Sequence, residues 1–513
     1  MGRTEKATKN ILWSVIGKIV ILLSSFLVRT IFILFLDKAL LGINGLYTEI
    51  LGLLSFAELG FGSAMSFSLY KPVAEENEEK IYVLLEYFKS VYRIIAGTVL
   101  VVGVALIPFL QDIVKGAESI SLWELKLYYI LFLINSVSSY FLMYKTAYVN
   151  AVQKSYIVSN YDTVLKVVTS ILQIIALLIF RSYLVYLIIQ IAASILSKFY
   201  LSQYLDHRFS IFSYKTNAKI SKEDKQTILS EVKSLIVHQF ASVAIYSTDS
   251  IIMSAIRHIG VVIVGLVSNY SLIITSVTGF AQLIFSNISH SFGNLAATEE
   301  TKQVRNVFNQ LELMGFIIYG FMFVCFFVLI PPFITLWVGK EFLIDRVSFF
   351  LIVLNSYLAG QSTVYHNMRI TRGEFFRDKW LSFIQALLNL IVSIVAAWKF
   401  GLVGIYIGTV ASRAFFVLGR PFLTYRFIFD SSVWEYYKRL GLHLGIVLVV
   451  GVIANSICGY ILSEITWLRF FAAAGTCSAV SCLLLCLSVL KTREFSELFV
   501  RVKGVLGNVK KKQ

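Results

Sequence analysis

Residues 11–36 read ILWSVIGKIVILLSSFLVRTIFILFL, an apolar run that holds no acid and only two cations, Lys18 and Arg29. A helix rises about 1.5 Å per residue, so about 20 apolar residues cross the roughly 30 Å hydrocarbon layer of a bilayer. This run is long enough to span, too long for the apolar region of a signal peptide, and not followed by a small-residue cleavage site. It is expected to be a retained first transmembrane helix.

The rest of the chain repeats the pattern. Of 513 residues, 57% are hydrophobic and 15% charged, whereas soluble domains run at roughly 45–50% apolar and about 25% charged. Fourteen crossings of about 20 residues need on the order of 280 mostly apolar positions, close to what this composition supplies. An aromatic content of 15% excludes disorder, and 30 glycines with five prolines exclude a collagen-like chain. The runs are far longer than the strands of about ten residues in an outer-membrane barrel. The expected class is an all-α polytopic membrane protein with about 14 transmembrane helices.

The net charge of +16 does not mark a nucleic-acid partner, because the Lys and Arg punctuate apolar runs instead of forming one solvated face. Cys325, Cys458, Cys477, Cys482 and Cys486 all lie inside apolar segments without a C-x-x-C pair, and read as small core residues, not metal ligands. No metal and no cofactor is expected.

Spans are expected near 11–36, 43–70, 83–110, 122–144, 157–180, 183–204, 226–256, 262–290, 310–337, 347–368, 380–398, 402–425, 436–460 and 467–490. With a cytoplasmic N-terminus, the inner segments hold about 28 Lys and Arg against about 7 in the outer ones, so both termini are expected in the cytoplasm. The densest inner segments are 205–225, 369–379 (Arg369, Arg372, Arg377, Lys379) and the tail with Lys510, Lys511 and Lys512. The long break at 205–225 follows the sixth span. An internal repeat agrees with it: Leu40 to Leu46 answers His258 to Leu266, Ala74-Glu75-Glu76 answers Ala297 to Glu300, and Leu106 to Phe109 answers Leu329 to Phe333. The expected organisation is an N-lobe over 1–204, a basic cytoplasmic linker over 205–225, a C-lobe over 226–425, a helix pair over 426–490 and a basic cytoplasmic tail over 491–513. The lobes are parallel repeats of six helices.

An ionisable side chain at mid-bilayer costs about 2.5–3.5 kcal/mol on insertion scales, so each one needs a reason to be there. Lys18 and Arg29 are eleven residues apart and share a helix face; Lys166 lies on a polar stripe with Asp162 and Gln173; Arg413 and Arg420 share a face seven residues apart. These five cations are the candidates for holding an anionic headgroup, arginine as a bidentate fork and lysine as a point charge. Glu58, Asp249 and Glu49 are the deep acids, candidates for coupling or gating. Asn135, Tyr140 and Tyr144 on the fourth span suit sugar hydroxyls. His238, His290 and His443 read as helix-packing residues.

There is no G-x-x-x-x-G-K-[ST] loop for ATP, no H-E-x-x-H and no G-x-S-x-G elbow with a soluble domain behind it. No catalytic residue is expected, and the chain reads as a transporter, not an enzyme.

Leu41-Gly42-x-x-Gly45-Leu46-Tyr47, then Leu54-Ser55-x-Ala57-Glu58-Leu59-Gly60-Phe61-Gly62, and later Thr248-Asp249-Ser250-Ile251-Ile252 with Val267-Ser268-Asn269-Tyr270, resemble bacterial polysaccharide repeat-unit flippases of the Wzx type. These belong to the multidrug/oligosaccharidyl-lipid/polysaccharide exporter superfamily. The resemblance implies two six-helix bundles around a cationic cavity, in the bacterial cytoplasmic membrane. They would move an undecaprenyl-diphosphate-linked oligosaccharide from inner to outer leaflet by alternating access, with polymerase or export machinery as further partners. It also implies that Lys18 and Arg29 match first-helix arginines thought to engage the diphosphate in lipid II flippases, with Lys18 departing from arginine. The alternatives are a drug/cation antiporter of the same fold and a non-transporting partner in a polysaccharide synthesis complex.

Overall fold

A computed structural model of the chain describes residues 3–58, 61–256, 258–372 and 375–510. Lys511 and Lys512, with the side chains of His238, His290, Arg369, Arg372, Arg377, Lys379 and Lys510, lie outside the described residues.

The described residues form α-helices and short 3-10 turns, with no strand. In chain order the helices are α1 (Arg3–Phe35), α2 (Lys38–Leu54), α3 (Phe61–Ala74), α4 (Glu78–Leu106), a single turn α5 (Leu110–Ile113), α6 (Leu122–Ala151), α7 (Tyr156–Phe180) and α8 (Tyr183–Arg208). They continue as α9 (Lys222–Ala255), α10 (Gly260–Thr298), α11 (Thr301–Trp337), α12 (Arg346–Arg372), α13 (Phe375–Phe400), α14 (Leu402–Phe427), α15 (Trp434–Ile461), α16 (Trp467–Val489) and α17 (Arg493–Lys510). Polar residues at the breaks start them. Asp37 Oδ1 accepts from the Ala39 N–H at 3.2 Å, Asn77 Oδ1 from Lys80 at 2.9 Å, and Ser121 with Glu124 closes a reciprocal capping box on α6. Ser221 caps α9 through the Asp224 N–H at 2.9 Å. The Ser221 hydroxyl, then Lys80 at 3.1 Å, holds the Asp224 carboxyl below its ordinary range.

Among the described residues, twelve helices are long and apolar enough to cross a membrane, and they coincide with twelve of the fourteen expected spans. The chain is a multi-pass membrane protein, and large apolar side chains such as Tyr460, Leu468 and Trp398, each more than three-quarters exposed, face outward where lipid would cover them. The remaining two expected spans differ in form. The one at 226–256 is the continuous helix α9. The one at 43–70 is broken: α2 ends in a 3-10 turn over Ser55–Glu58, and α3 starts afresh at Phe61. Ser55 turns its hydroxyl back onto the Leu51 carbonyl at 2.8 Å, which competes with the helix at its end.

The chain divides into two compact units, Met1–Ser268 and Asn269–Gln513, with the boundary inside α10. The boundary lies beyond the 205–225 segment because α9 packs on α2 and α3 in the first unit. There α1 runs along α7, α4 along α6, and α8 against α6 and α7. Aromatic edges lock these seams: Phe32 of α1 meets Tyr183 and Tyr186 of α8 at 5.7 and 5.3 Å, and Tyr47 of α2 meets Tyr129 of α6 at 5.4 Å while donating to the Leu125 carbonyl at 2.9 Å.

The two halves of the sequence repeat touch in this unit. A Cβ added at Gly42 would strike the Val261 carbonyl, and one at Gly265 would come within 2.9 Å of the Gly42 nitrogen and the Lys38 carbonyl. Glycine at both positions is therefore what lets α2 and α10 cross backbone to backbone. In the second unit α13 and α14 approach equally closely, because Gly404 and Gly408 lie against Ala396 and Ser393. There α11, α15 and α16 pack together, and α17 docks on α11 through the Gln310 amide, which donates to Glu497 at 2.7 Å.

Gly265→Leu is predicted to destabilise the protein by at least about 1–3 kcal/mol through overpacking. Gly475→Ala, where nothing lies within 4 Å of the added carbon, is predicted to be neutral or slightly stabilising. Thermal unfolding of the detergent-purified variants checks both.

Candidate functional site

The deep cations of the first unit line one seam. Gly17 and Lys18 open it on α1, where a Cβ at Gly17 would contact Thr163 of α7 at 3.6 Å. Lys166 lies about one turn beyond Thr163 and close enough to Arg29 for their like charges to interact. Arg29 itself is half-buried, with Tyr186 of α8 in its field and its Nη1 donating to the Ser268 hydroxyl at 3.0 Å. Lys166 and Arg29 are therefore brought together where α1 runs along α7, with the exposed Lys18 on α1 next to the Gly17–Thr163 approach. Lys18 and Arg29 share a face, yet eleven residues put them about 16 Å apart along the axis, too far for one diphosphate to bind both at once. They suit successive positions of one headgroup. Lys18 and Lys166 are exposed, so their ammonium groups are accessible to one.

Two members of the polar stripe of α7, Asp162 and Gln173, meet α8, as does Tyr161. Gln173 donates to Gln190 at 3.1 Å, Tyr161 to the Ser197 carbonyl at 2.9 Å, and Asp162 interacts with Lys198. Lys198 Nζ also donates to the Ser138 hydroxyl at 2.8 Å and to the backbone carbonyl of Asn135 at 3.3 Å. The Asn135 side-chain oxygen is buried without a hydrogen-bond partner. Of the other two residues on that helix, Tyr140 is only 1% exposed and packs against Tyr92, whereas Tyr144 is half-buried with Lys89 and Lys145 each 5.9 Å from its ring centre.

The acids Glu49, Glu58 and Asp249 belong to α2, the turn that follows it, and α9. Glu58 ends the 3-10 turn between α2 and α3, where it interacts with Tyr92 and Tyr140. Glu49 meets the Ser247 hydroxyl, which joins α2 to α9, and Asp249 is buried two residues further along α9. Thus Glu58 and Tyr140 are brought together, as are Arg29 and Lys166.

Arg413 and Arg420 belong to the second unit and are 6% and 7% exposed. Arg413 Nε donates to Asn355 of α12 at 3.2 Å, and the Arg420 guanidinium lies 3.8 Å over the Phe416 ring. Both are packed into α14 and its neighbours among buried Thr409, Ser412 and Thr424.

Two ion pairs were not singled out by the sequence. Lys145, only 4% exposed, donates to Asp206 and to the Ser202 hydroxyl, both at 2.6 Å, and so ties α6 to α8. Its position at the polar end of the fourth span concealed it. In the second unit Arg439 pairs with Glu312 at 3.0 Å. The signal for this pair was Asn309-x-x-Glu312 opening one span and Arg439-x-x-x-His443 opening another. His443 packs as expected, stacked 3.9 Å from Phe316. Among the described residues no group of His, Cys, Asp and Glu could hold a metal ion.

Comparison with known proteins places this geometry in context. The model of the family described as "Polysaccharide biosynthesis protein" matches residues 7–292. No curated protein matches the chain. Among solved structures, the lipid II flippase MurJ in an inward closed conformation is similar with a TM-score of 0.64 at 15% identity, covering 93% of this chain and 99% of that one. An inward-facing multidrug resistance MATE family transporter of the MOP superfamily gives 0.60 at 14% identity, covering 80% and 97%. A mutant of the Vibrio cholerae MATE transporter VcmN gives 0.53 at 14% identity, covering 82% and 97%. At these identities the likeness is one of fold, and the all-helical MurJ/MATE-like fold is the one expected.

Removing Lys145 leaves Asp206 without its partner, so Lys145→Ala is predicted to destabilise by about 2–3 kcal/mol. The exposed Lys18→Ala and Lys166→Ala are predicted to stay within about 0.5 kcal/mol of the parent. Melting temperatures measured side by side separate the structural cation from the accessible ones.

Proposed function

The chain belongs to the polysaccharide biosynthesis protein family, and from that premise we propose that it is a lipid-linked oligosaccharide flippase. Its substrate is a polyprenyl diphosphate carrying an oligosaccharide repeat unit, moved from the inner to the outer leaflet of the bacterial cytoplasmic membrane by alternating access. The observation that carries this reading is the cationic seam of α1 and α7. Arg29 is met by a neutral hydroxyl and by a like charge at Lys166, so the seam keeps positive charge inside an apolar wall, which an anionic headgroup would relieve. Lys18 and Lys166 would receive the diphosphate as mobile point charges, and Arg29 would take it with its fork. Half-buried Asn135 and Tyr144 are the better sugar contacts on α6; Tyr140, packed beside Glu58, is better suited to report on that acid. Glu49, Glu58 and Asp249, set at the α2 break and the α2–α9 seam, are the gating candidates. Arg413 and Arg420 would engage the headgroup only if Arg413 leaves Asn355 of α12 and the Arg420 side chain leaves the Phe416 ring of its own helix. The Lys/Arg bias supports cytoplasmic termini, and the sequence repeat supports two six-helix lobes at 1–204 and 226–425.

A drug/cation antiporter of this fold would use acids to hold its cargo, and the charges grouped around Arg29 on α1 and α7 are basic. For that reason the flippase reading is preferred.

Depleting the protein is predicted to accumulate one diphosphate-linked oligosaccharide in the polyprenyl lipid pool and to remove the matching surface polymer, both read by mass spectrometry. In complementation, Arg29→Glu at normal abundance is predicted to restore less than about a tenth of the polymer and Arg29→Lys substantially more, since charge is kept while the fork is lost. An unchanged lipid pool on depletion, or full restoration by Arg29→Glu, would contradict the assignment.

A further inference from the structure

The second unit contains a charged cavity that the flippase reading does not use. It lies among α11, α12, α15 and α17 and is lined by Asn309, Glu312, Gln361, Tyr365, Arg439 and Glu494. The Arg439 guanidinium donates to Glu312 Oε2 at 3.0 Å and to the Tyr425 hydroxyl at 2.9 Å, and it stands 3.9 Å from Glu494 of α17. Arg439 thus occupies one oxygen of Glu312. The other oxygen, Oε1, is buried with no hydrogen-bond partner, and so are the Asn309 side-chain oxygen and the Tyr365 hydroxyl. Tyr365 is 2% exposed and the Glu312 side chain 12%. Asn309 and Glu312 are three residues apart on α11 and share a face.

Buried polar atoms are nearly always satisfied, and each orphan in a native site calls for a missing partner. Glu312 Oε1 and the Asn309 oxygen only accept, and the Tyr365 hydroxyl can turn its lone pairs the same way, so one positive group among them would satisfy all three. The charges agree. Glu312, Glu494 and Glu435 face Arg439 and Arg305, which pairs with Glu435 at 3.5 Å, so the cluster carries one negative charge more than it neutralises. Of the other titratable neighbours, Tyr425, Tyr436 and His443 are uncharged in their ordinary neutral forms, and Glu497 and Arg493 of α17 pair with each other at 2.7 Å, which leaves the count unchanged. A divalent ion would leave the buried cluster with an excess positive charge in place of the negative one, whereas a single positive charge brings it to zero.

We infer that this cavity binds one monovalent cation, held by Glu312 Oε1, the Asn309 side-chain oxygen and the Tyr365 hydroxyl. Two sources share that chemistry, an alkali-metal ion and a proton carried on Glu312. Glu494 makes α17 part of the site, and Gln310 with Glu497 anchors that helix over it. This inference rests on the second unit alone and stands apart from the identity of the transported lipid.

The test is thermal unfolding of the full-length protein in detergent. Sodium, potassium and lithium chlorides are titrated against choline chloride at constant ionic strength, and pH is then lowered in choline alone. A ligand that binds the folded state raises the melting temperature in proportion to its saturation. A saturable rise of several degrees with one alkali ion, abolished in Glu312→Gln and shifted to about tenfold higher concentration in Asn309→Ala, identifies that ion. No alkali effect but a rise on acidification, lost in Glu312→Gln and kept in His443→Gln, identifies the proton. A parent protein indifferent to both, or a Glu312→Gln protein that responds as the parent does, overturns the inference. Should Glu312→Gln fail to fold, Asn309→Ala and Tyr365→Phe decide it, and parental responses in both overturn it. Lipid transport enters none of these readouts, so their failure is distinguishable from failure of the flippase reading.

Discussion

A guanidinium placed two-thirds of the way along an apolar helix is the constraint around which the first unit is arranged. Arg29 cannot shed its charge, and lipid offers it nothing, so the surrounding helices must. Ser268 at the start of α10 supplies an acceptor at 3.0 Å, and the Gly42–Gly265 crossing brings α10 close enough to α2 for that start to be held in place. A hydroxyl satisfies hydrogen bonds without cancelling charge. Lys166 adds a second positive charge to the same seam.

The second unit answers the same constraint differently. Its deep arginines are matched inside the protein: Arg413 to an amide oxygen, Arg420 to an aromatic face, and Arg439 to a carboxylate and a phenol. Here it is the acids that are in excess, with Glu312 left half-satisfied.

Most of the fold could be read from the sequence, because a bilayer reduces the choice to apolar runs and their breaks. Twelve expected spans reappear as membrane-length helices, and the repeat at Gly42 and Gly265 becomes a physical contact. The break at Ser55–Glu58 was hidden, since hydrophobicity continues through it and only the hydroxyl marks the turn. For the site, periodicity put Lys18 and Arg29 on one face and Lys166 on a polar stripe, but it could not say that Lys166 faces Arg29. Nor could it separate accessible cations from Lys145, whose partners Ser202 and Asp206 lie 57 and 61 residues away. The Glu312 cavity was missed because its lining comes from four helices, and each residue alone looks like the polar edge of a span.

The flippase reading requires the chain alone to carry an anionic lipid headgroup across a bilayer. The most direct measurement is transfer of a fluorescent diphosphate-linked oligosaccharide across proteoliposomes holding only this purified protein, followed by the fraction of label accessible from outside. The account predicts leaflet transfer well above that of protein-free vesicles, retained with Arg29→Lys in part and lost with Arg29→Glu. Transfer no faster than in empty vesicles, by a folded protein in a membrane that sustains a cation gradient, would contradict it.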